Sequence, residues 1–499
     1  MSHSFDLIKN RERGLKRELT SPQLTMIALG GAIGTGLFLG SKFAISFAGP
    51  SVLLSYAIGG LIAVMLMGAL AEMTVAHSTT GSFGAFAEHY ISPLAGFLVK
   101  YLYWSCVVLA VGTEVLAIGD YMKLWFPGVP PLFWILLFAG VLIAVNMFNV
   151  KAFGTLEYWF SSIKVFAILG FILLAAILVF GKREAGYGIH NYTAEGGFFP
   201  NGVSGMWVAV IVAIFSYLSV EMIAIAAGEA KDPGTAVKKA FKVTVFRLFL
   251  FYILTLALIL AIAPVSQILA GNSPFVTVMQ VIGIPFADSV INVVVIVAAL
   301  SAMNSQLYIS TRMMFSLSRA GQAPAVFGRL HKNGSPVNAL VLCTGGIAVA
   351  ACVYALNPES GFTFMMALSM FGAMATWLMI FVTHLAFRRA AKRDGTALSY
   401  KLRFYPVASW AGAILMVAIM VTTLFVDAFR MTLIFGVPFA IGIVVLHFVL
   451  KKGRRGSAQG TAESDADGSA TGDEGTTSGP AVVGSGSDAD RNMEEAVRS

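Results

Sequence analysis

Charge and cysteine are both scarce in this chain. Of its 499 residues, 12% are Asp, Glu, Lys or Arg and 3 are cysteines, against 57% hydrophobic residues and a mean hydropathy of +0.79. So little charge excludes an ordinary soluble globular protein, in which about a quarter of residues are charged. Cys106, Cys343 and Cys352 lack the paired spacing of a disulfide framework or a zinc site and read as small core residues. The 7 histidines form no His-Glu-x-x-His set, and the chain has neither a Walker loop nor a Gly-x-Ser-x-Gly elbow. ATP-driven transport, metal hydrolysis and serine-type hydrolysis therefore have no residues to rest on, and an enzyme is not expected.

What is present is length of apolar chain. Twelve runs long enough to cross a hydrocarbon core fall near 22–42, 50–75, 95–121, 131–149, 157–180, 205–227, 241–263, 286–310, 337–356, 362–386, 406–426 and 431–450. Backbone amides in lipid must be satisfied within the segment or around a closed barrel. Uninterrupted runs of this length suit helices rather than short alternating strands. The expected fold class is an all-α integral membrane protein with twelve transmembrane helices.

The net charge of +8 would suggest nucleic acid in a soluble chain, but here its placement matters more, and no nucleic acid is expected. Lys9, Arg11, Arg13, Lys16 and Arg17 precede the first span. Lys231, Lys238, Lys239 and Lys242 follow the sixth, and Arg312, Arg319, Arg329 and Lys332 the eighth. Arg388, Arg389, Lys392, Arg393, Lys401 and Arg403 follow the tenth, and Lys451, Lys452, Arg454 and Arg455 the twelfth. Opposite loops hold little beyond Lys123, Lys182, Arg183 and Arg430. The positive-inside rule then places both termini in the cytoplasm. The first twenty residues are polar and charged, so no cleavable signal peptide is expected. After Arg455 the chain turns to Gly, Ser, Ala, Thr and Asp, which cannot bury enough apolar surface to fold. The expected organisation is a cytoplasmic segment over 1–20, a transporter domain over 21–452 and a disordered cytoplasmic tail over 453–499.

Within the first span, Gly30-Gly31-Ala32-Ile33-Gly34-Thr35-Gly36-Leu37-Phe38-Leu39-Gly40 places five glycines where the helix should be continuous. Two readings compete: small residues permitting close helix packing, or a backbone built to unwind around a ligand. Five glycines in eleven exceed what a packing stripe needs. Five spans later, Ile214-Phe215-Ser216-Tyr217-Leu218-Ser219-Val220-Glu221-Met222 sets hydroxyls and a carboxylate in mid-membrane, a second interruption at the place where inverted repeats would put one. Exposed amides of a half-helix suit a carboxylate, with the Thr35 hydroxyl beside them. Free carbonyls from Ala32 and from the second break suit an ammonium group. An α-amino acid fits both.

Together with Ala48-Gly49-Pro50, Gly68-Ala69-Leu70-Ala71-Glu72-Met73 and Trp159-Phe160-Ser161-Ser162-Ile163-Lys164-Val165, these segments resemble the bacterial amino acid transporter family of the APC superfamily over roughly residues 14–450. The resemblance implies a LeuT-like five-plus-five inverted repeat with broken first and sixth helices. It also implies a substrate carboxylate held by Gly34, Thr35 and Gly36, and carbonyls of Ala32, Phe215 and Leu218 facing the amino group, with Phe215 as a gate. Many relatives carry glycines where Leu218 and Ser219 stand here.

Ionisable side chains inside a membrane are functional candidates by default. Lys164, in the fifth span, is a candidate proton-coupling residue, or else a structural lysine tied to a carbonyl. In proton-coupled relatives, the resemblance implies, a lysine here stands where sodium-coupled members bind an ion. Glu221 either serves the substrate or proton, or anchors the unwound segment. Glu114 is a weaker pocket candidate, Glu72 reads as an anchor, and Glu229 as a helix-end gate. Ser301, Asn304 and Ser305 read mainly as interhelical glue, and Tyr101, Tyr103, Trp104 and Trp125 as packing or interfacial residues.

The expected function is proton-coupled import of a neutral amino acid across the bacterial cytoplasmic membrane, with no cofactor beyond the proton. An exchanger and an amino-acid sensor are the alternatives. The lipid bilayer and a small-molecule substrate are the expected partners.

Overall fold

The computed structural model describes residues 5, 19–147, 150–182, 186–230, 241, 250–271, 273–332, 334–358 and 360–470. The basic residues expected before the first span and after the sixth, from Lys9 to Arg17 and from Lys231 to Lys239 with Lys242, lie outside these. Secondary structure among the described residues is helical throughout, apart from one isolated parallel bridge between Leu19 and Ala230.

Helix α1, Ser21–Ala32, ends at the glycine run, and the chain resumes as a π-helical turn over Gly36–Gly40 that leads into α2, Ser41–Ala48. Helices α3, Val52–Ala76, α4, Ser82–Tyr90, and α5, Pro93–Met122, follow. Next come α6, Pro131–Asn146, and α7, Val150–Ala176. The second interruption separates α8, Gly202–Tyr217, from α9, Met222–Ala226. Beyond it lie α10, Leu250–Ile262, α11, Val265–Ala270, and α12, Pro274–Ile282. The long α13, Ala287–Arg319, precedes α14, Val337–Cys343, and α15, Gly345–Leu356. Helices α16, Gly361–Arg393, α17, Val407–Thr422, and α18, Arg430–Ala470, close the described chain.

Nine helical stretches among the described residues are long and apolar enough to cross a membrane, and Pro131–Asn146 and Leu250–Ile262 are shorter apolar helices. The protein is thus a multi-pass membrane protein. Burial is unevenly shared: the best apolar stretch in Gly202–Glu229 is 94% buried inside the protein, that in Arg430–Lys451 only 11%. Helices near the broken segments are wrapped by others. The terminal helix turns most of its apolar side chains outward, where lipid would cover them.

The central strut is α5. It packs against α13, α15 and α16, while α1 packs on α7 and α13, and α8 on α2 and α3. Its glycines set the spacing: at Gly112 an added Cβ would lie 2.7 Å from the Gly346 carbonyl oxygen, and at Gly372 of α16 one would lie 2.2 Å from that of Leu102. The α4 helix is pinned to α5 by the Lys100–Glu88 ion pair at 2.7 Å, with Lys100 buried.

The chain divides into two units, Met1–His447 and Phe448–Ser499. Helix α18 continues to Ala470. Ala458, Gln459, Ala462, Glu463 and Ala466 are all good helix formers. Residues 471–499 lie outside the described residues.

Candidate functional site

Both interruptions face one cavity. Gly34, Gly36, Phe215, Leu218, Ser219 and Glu221 line it from the breaks, Cys106, Val107, Ala110 and Glu114 from α5, and Gln306 from α13. The centre of a water-sized sphere has about 20 Å3 of it to move in.

The first break begins at Ile33. Residues Gly34 and Gly36 are required by close approach: a Cβ on Gly34 would sit 2.6 Å from Glu114 Oε1, and one on Gly36 2.8 Å from Ser216 Cα. The amide freed at Thr35 does not stand empty. It donates to Glu114 Oε2 at 3.1 Å, a carboxylate capping the start of a half-helix where dipole and unpaired N–H groups favour negative charge. The Thr35 hydroxyl faces the same carboxylate without forming a well-aligned bond. Ala32 ends α1, so its carbonyl belongs to the edge of the break.

The second break is held by Glu221. Leu218 is extended at φ −55° and ψ 156°, and Ser219 takes φ +77°, a left-handed conformation costly for a side-chain-bearing residue. Glu221 Oε1 accepts the Ser219 amide at 3.1 Å and the Tyr103 hydroxyl at 2.8 Å, and Oε2 accepts Trp377 Nε1 at 3.1 Å. Three donors thus fix the segment in its strained path. Tyr103, expected to be a packing residue, bonds the carboxylate from α5. Just before the break, Ser216 ties the two interruptions together. Its hydroxyl donates to the Gly36 carbonyl at 2.8 Å and lies 2.8 Å from the Tyr56 hydroxyl, while its own carbonyl accepts from Tyr252 at 2.6 Å.

Lys164, fully buried on α7, donates through Nζ to the Ile33 carbonyl at 3.0 Å. It therefore joins α7 directly to the first break. Seven residues earlier on the same helix, and so on the same face, stands a buried carboxylate that sequence reasoning passed over, Glu157. The expected start of that span at 157 placed it at a membrane edge, whereas the apolar helical stretch begins at Phe153. The hydroxyl of Ser301 donates to Glu157 Oε1, and Asn304 Nδ2 donates to Oε2 at 3.1 Å. Asn146 Nδ2 extends the chain to Asn304 Oδ1 at 2.8 Å. Ser301 and Asn304 are thus bonded to α7 and are absent from the cavity lining. Gln306, two residues on, is the α13 residue that reaches it, and the polar run Asn304-Ser305-Gln306 was the signal for it.

Near the start of α1, the segments around Leu19, Glu229 and Arg312 close on one another. Leu19 N donates to the Glu229 carbonyl at 3.1 Å, and the Glu229 carboxylate pairs with Arg312 at 2.9 Å, both side chains being buried. The Arg312 guanidinium lies 4.2 Å from the centre of the Tyr308 ring, which stacks on Phe153 at 4.0 Å. Glu72 sits apart from this closure. It pairs with Arg388 at 2.9 Å and accepts the Leu402 amide at 2.7 Å, fastening α3 to α16 and the loop after it. No group of three or more His, Cys, Asp or Glu among the described residues could hold a metal ion.

A family model described as "Amino acid permease" matches residues 23–455. The chain is 38% identical to an aromatic amino acid transport protein of Escherichia coli O6:H1, across 82% of this chain and 90% of that one. It is 36% identical to a gamma-aminobutyric acid permease of Bacillus subtilis, across 90% and 97%. A probable threonine/serine transporter of the same organism is also 36% identical, across 91% and 98%.

Proposed function

This chain belongs to the amino acid permease family, and from that premise we propose that it is a proton-coupled importer of a neutral amino acid in the bacterial cytoplasmic membrane. Transport of amino acids, rather than enzymatic chemistry, follows from the family. The proton, the neutral side chain and the direction are our reading. In it, the twelve spans form a five-plus-five inverted repeat, both termini are cytoplasmic, and the tail beyond 452 is a cytoplasmic appendage.

The observation that carries the proposal is the pairing of Glu114 with the Thr35 amide beside Lys164 on Ile33. The substrate carboxylate seeks the amides of Gly34, Thr35 and Gly36, and one of these already holds a carboxylate. Two carboxylates do not share such a position unless one is protonated or displaced. Substrate entry therefore favours uptake of a proton by Glu114 or displacement of its carboxylate from the Thr35 amide, and the first makes proton and substrate binding cooperative. The substrate ammonium turns to the carbonyls at the ends of the breaks, Ala32, Phe215 and Leu218, with the Ser219 hydroxyl close by. Phe215 covers the pocket.

A neutral substrate suits this arrangement because the Glu221 carboxylate is already spent on three donors. The relatives named for aromatic amino acids, for γ-aminobutyrate and for threonine and serine carry neutral side chains or none, in keeping with that reading. In alternating access, the Leu19–Glu229–Arg312 closure parts on the cytoplasmic side as α1 and α9 move against α7 and α13. Lys164 bridges the moving and static parts, so its protonation state biases the equilibrium between them.

The test is uptake of a panel of radiolabelled amino acids into proteoliposomes, with and without an inward proton gradient. The reading expects gradient-driven accumulation, abolished in Lys164→Ala. Accumulation that needs an internal amino acid and ignores the gradient marks an exchanger instead, and binding without flux marks a sensor.

A further inference from the structure

We propose that Gln306 is the specificity-determining residue of this cavity, selecting amino acids whose side chain bears a hydroxyl or an amide over apolar side chains of the same shape. The inference rests on the reading of the cavity as an amino acid site.

Gln306 is 5% exposed and lines the cavity from α13. One side of its amide faces the Glu114 carboxylate. Its Oε1 has no partner. Buried polar atoms without a partner are rare in native proteins and costly, and such an atom in a ligand cavity points to a group that arrives with the ligand.

The rest of the lining sharpens the point. Ser216 and Glu221 are bonded to protein groups, and the side chains of Val107, Ala110, Phe215 and Leu218 are apolar. Gln306 thus brings a polar atom without a partner to the α13 side of the cavity, beside Glu114. A primary amide is both donor and acceptor, so it answers a hydroxyl or a carboxamide equally well. A methyl group in the same place leaves the amide buried and unpaired. A site built to hydrogen-bond a substrate group rejects the analogue that lacks it more strongly than an apolar pocket rejects an added hydroxyl.

The isosteric pairs threonine and valine, and asparagine and leucine, isolate this effect from size. In proteoliposomes the wild type is expected to favour threonine over valine in kcat/KM by about tenfold, the factor for one well-formed hydrogen bond. Gln306→Met, similar in shape and without the amide, brings the ratio to about one by raising KM for threonine more than for valine. Gln306→Asn, which keeps the amide but shortens its reach, falls between. If either variant fails to transport, the same ratios are read from equilibrium binding to purified protein. Equal ratios in wild type and Gln306→Met overturn the inference, and would be the result if the amide met the α-ammonium common to all substrates. A wild type that binds no amino acid overturns the reading of the cavity itself, a separate and distinguishable outcome.

Discussion

Glu114 and Thr35, 79 residues apart, are joined by a backbone amide donating to a buried carboxylate at 3.1 Å. In the proposed reading this acidic side chain occupies an amide that an amino acid substrate also needs, and the competition between them links substrate occupancy to protonation.

That competition has a pH signature. Wild-type affinity for substrate is expected to strengthen as pH falls, because a protonated Glu114 no longer repels the incoming carboxylate. Glu114→Gln removes the charge at every pH, so affinity becomes flat with pH while gradient-driven accumulation is lost. Equilibrium binding across a pH series, set beside uptake, checks this. A variant whose binding keeps the wild-type pH profile would place the titrating group elsewhere.

Removing one member of the Glu229–Arg312 pair leaves the other charge buried. Glu229→Ala is expected to cost on the order of 3 kcal/mol, seen as a lower midpoint of thermal unfolding, since broken buried pairs are strongly destabilising. It also releases the closure at that end. Cys106, which lines the cavity and is 3% exposed, reports on it. In a background with Cys343 and Cys352 replaced by serine, a small thiol reagent should modify Cys106 faster in Glu229→Ala than in the otherwise identical protein, and substrate should slow both.

Gly36 allows the two breaks to touch. In Gly36→Ala the new Cβ meets Ser216 Cα, a backbone atom that no rotamer change can move aside. Separation of the breaks is expected to cost about 1–3 kcal/mol, as overpacking does elsewhere, and to reduce uptake in parallel. Thermal unfolding and transport measured on one preparation decide whether the glycine serves packing alone, in which case stability falls and transport per folded molecule does not.

Three donors hold the Glu221 carboxylate, and on that geometry we expect it to anchor the break. Tyr103→Phe removes one of its three donors and should destabilise by about 1 kcal/mol without altering the pH profile of uptake. A shifted pH profile would show instead that Glu221 takes part in proton movement.

Much of this protein was determined locally, and that part is legible in the sequence. Long apolar runs force helices because lipid offers no partner to a free amide. The glycines at 30–40 and the hydroxyl and acidic residues at 216–221 weaken helix exactly where they stand, so both interruptions appear at Ile33–Thr35 and Leu218–Glu221. The partners of the buried charges were decided by tertiary structure alone. Thr35 meets Glu114 from another helix, Glu221 draws Tyr103 and Trp377 from α5 and α16, and Glu157 turns to Ser301 and Asn304 on α13. Which donors a buried carboxylate finds depends on which helices pack against it and at what rotation. Gln306 shows the same division: its amide is plain in the sequence, but its place in the cavity beside Glu114 is set by the packing of α13 against α5.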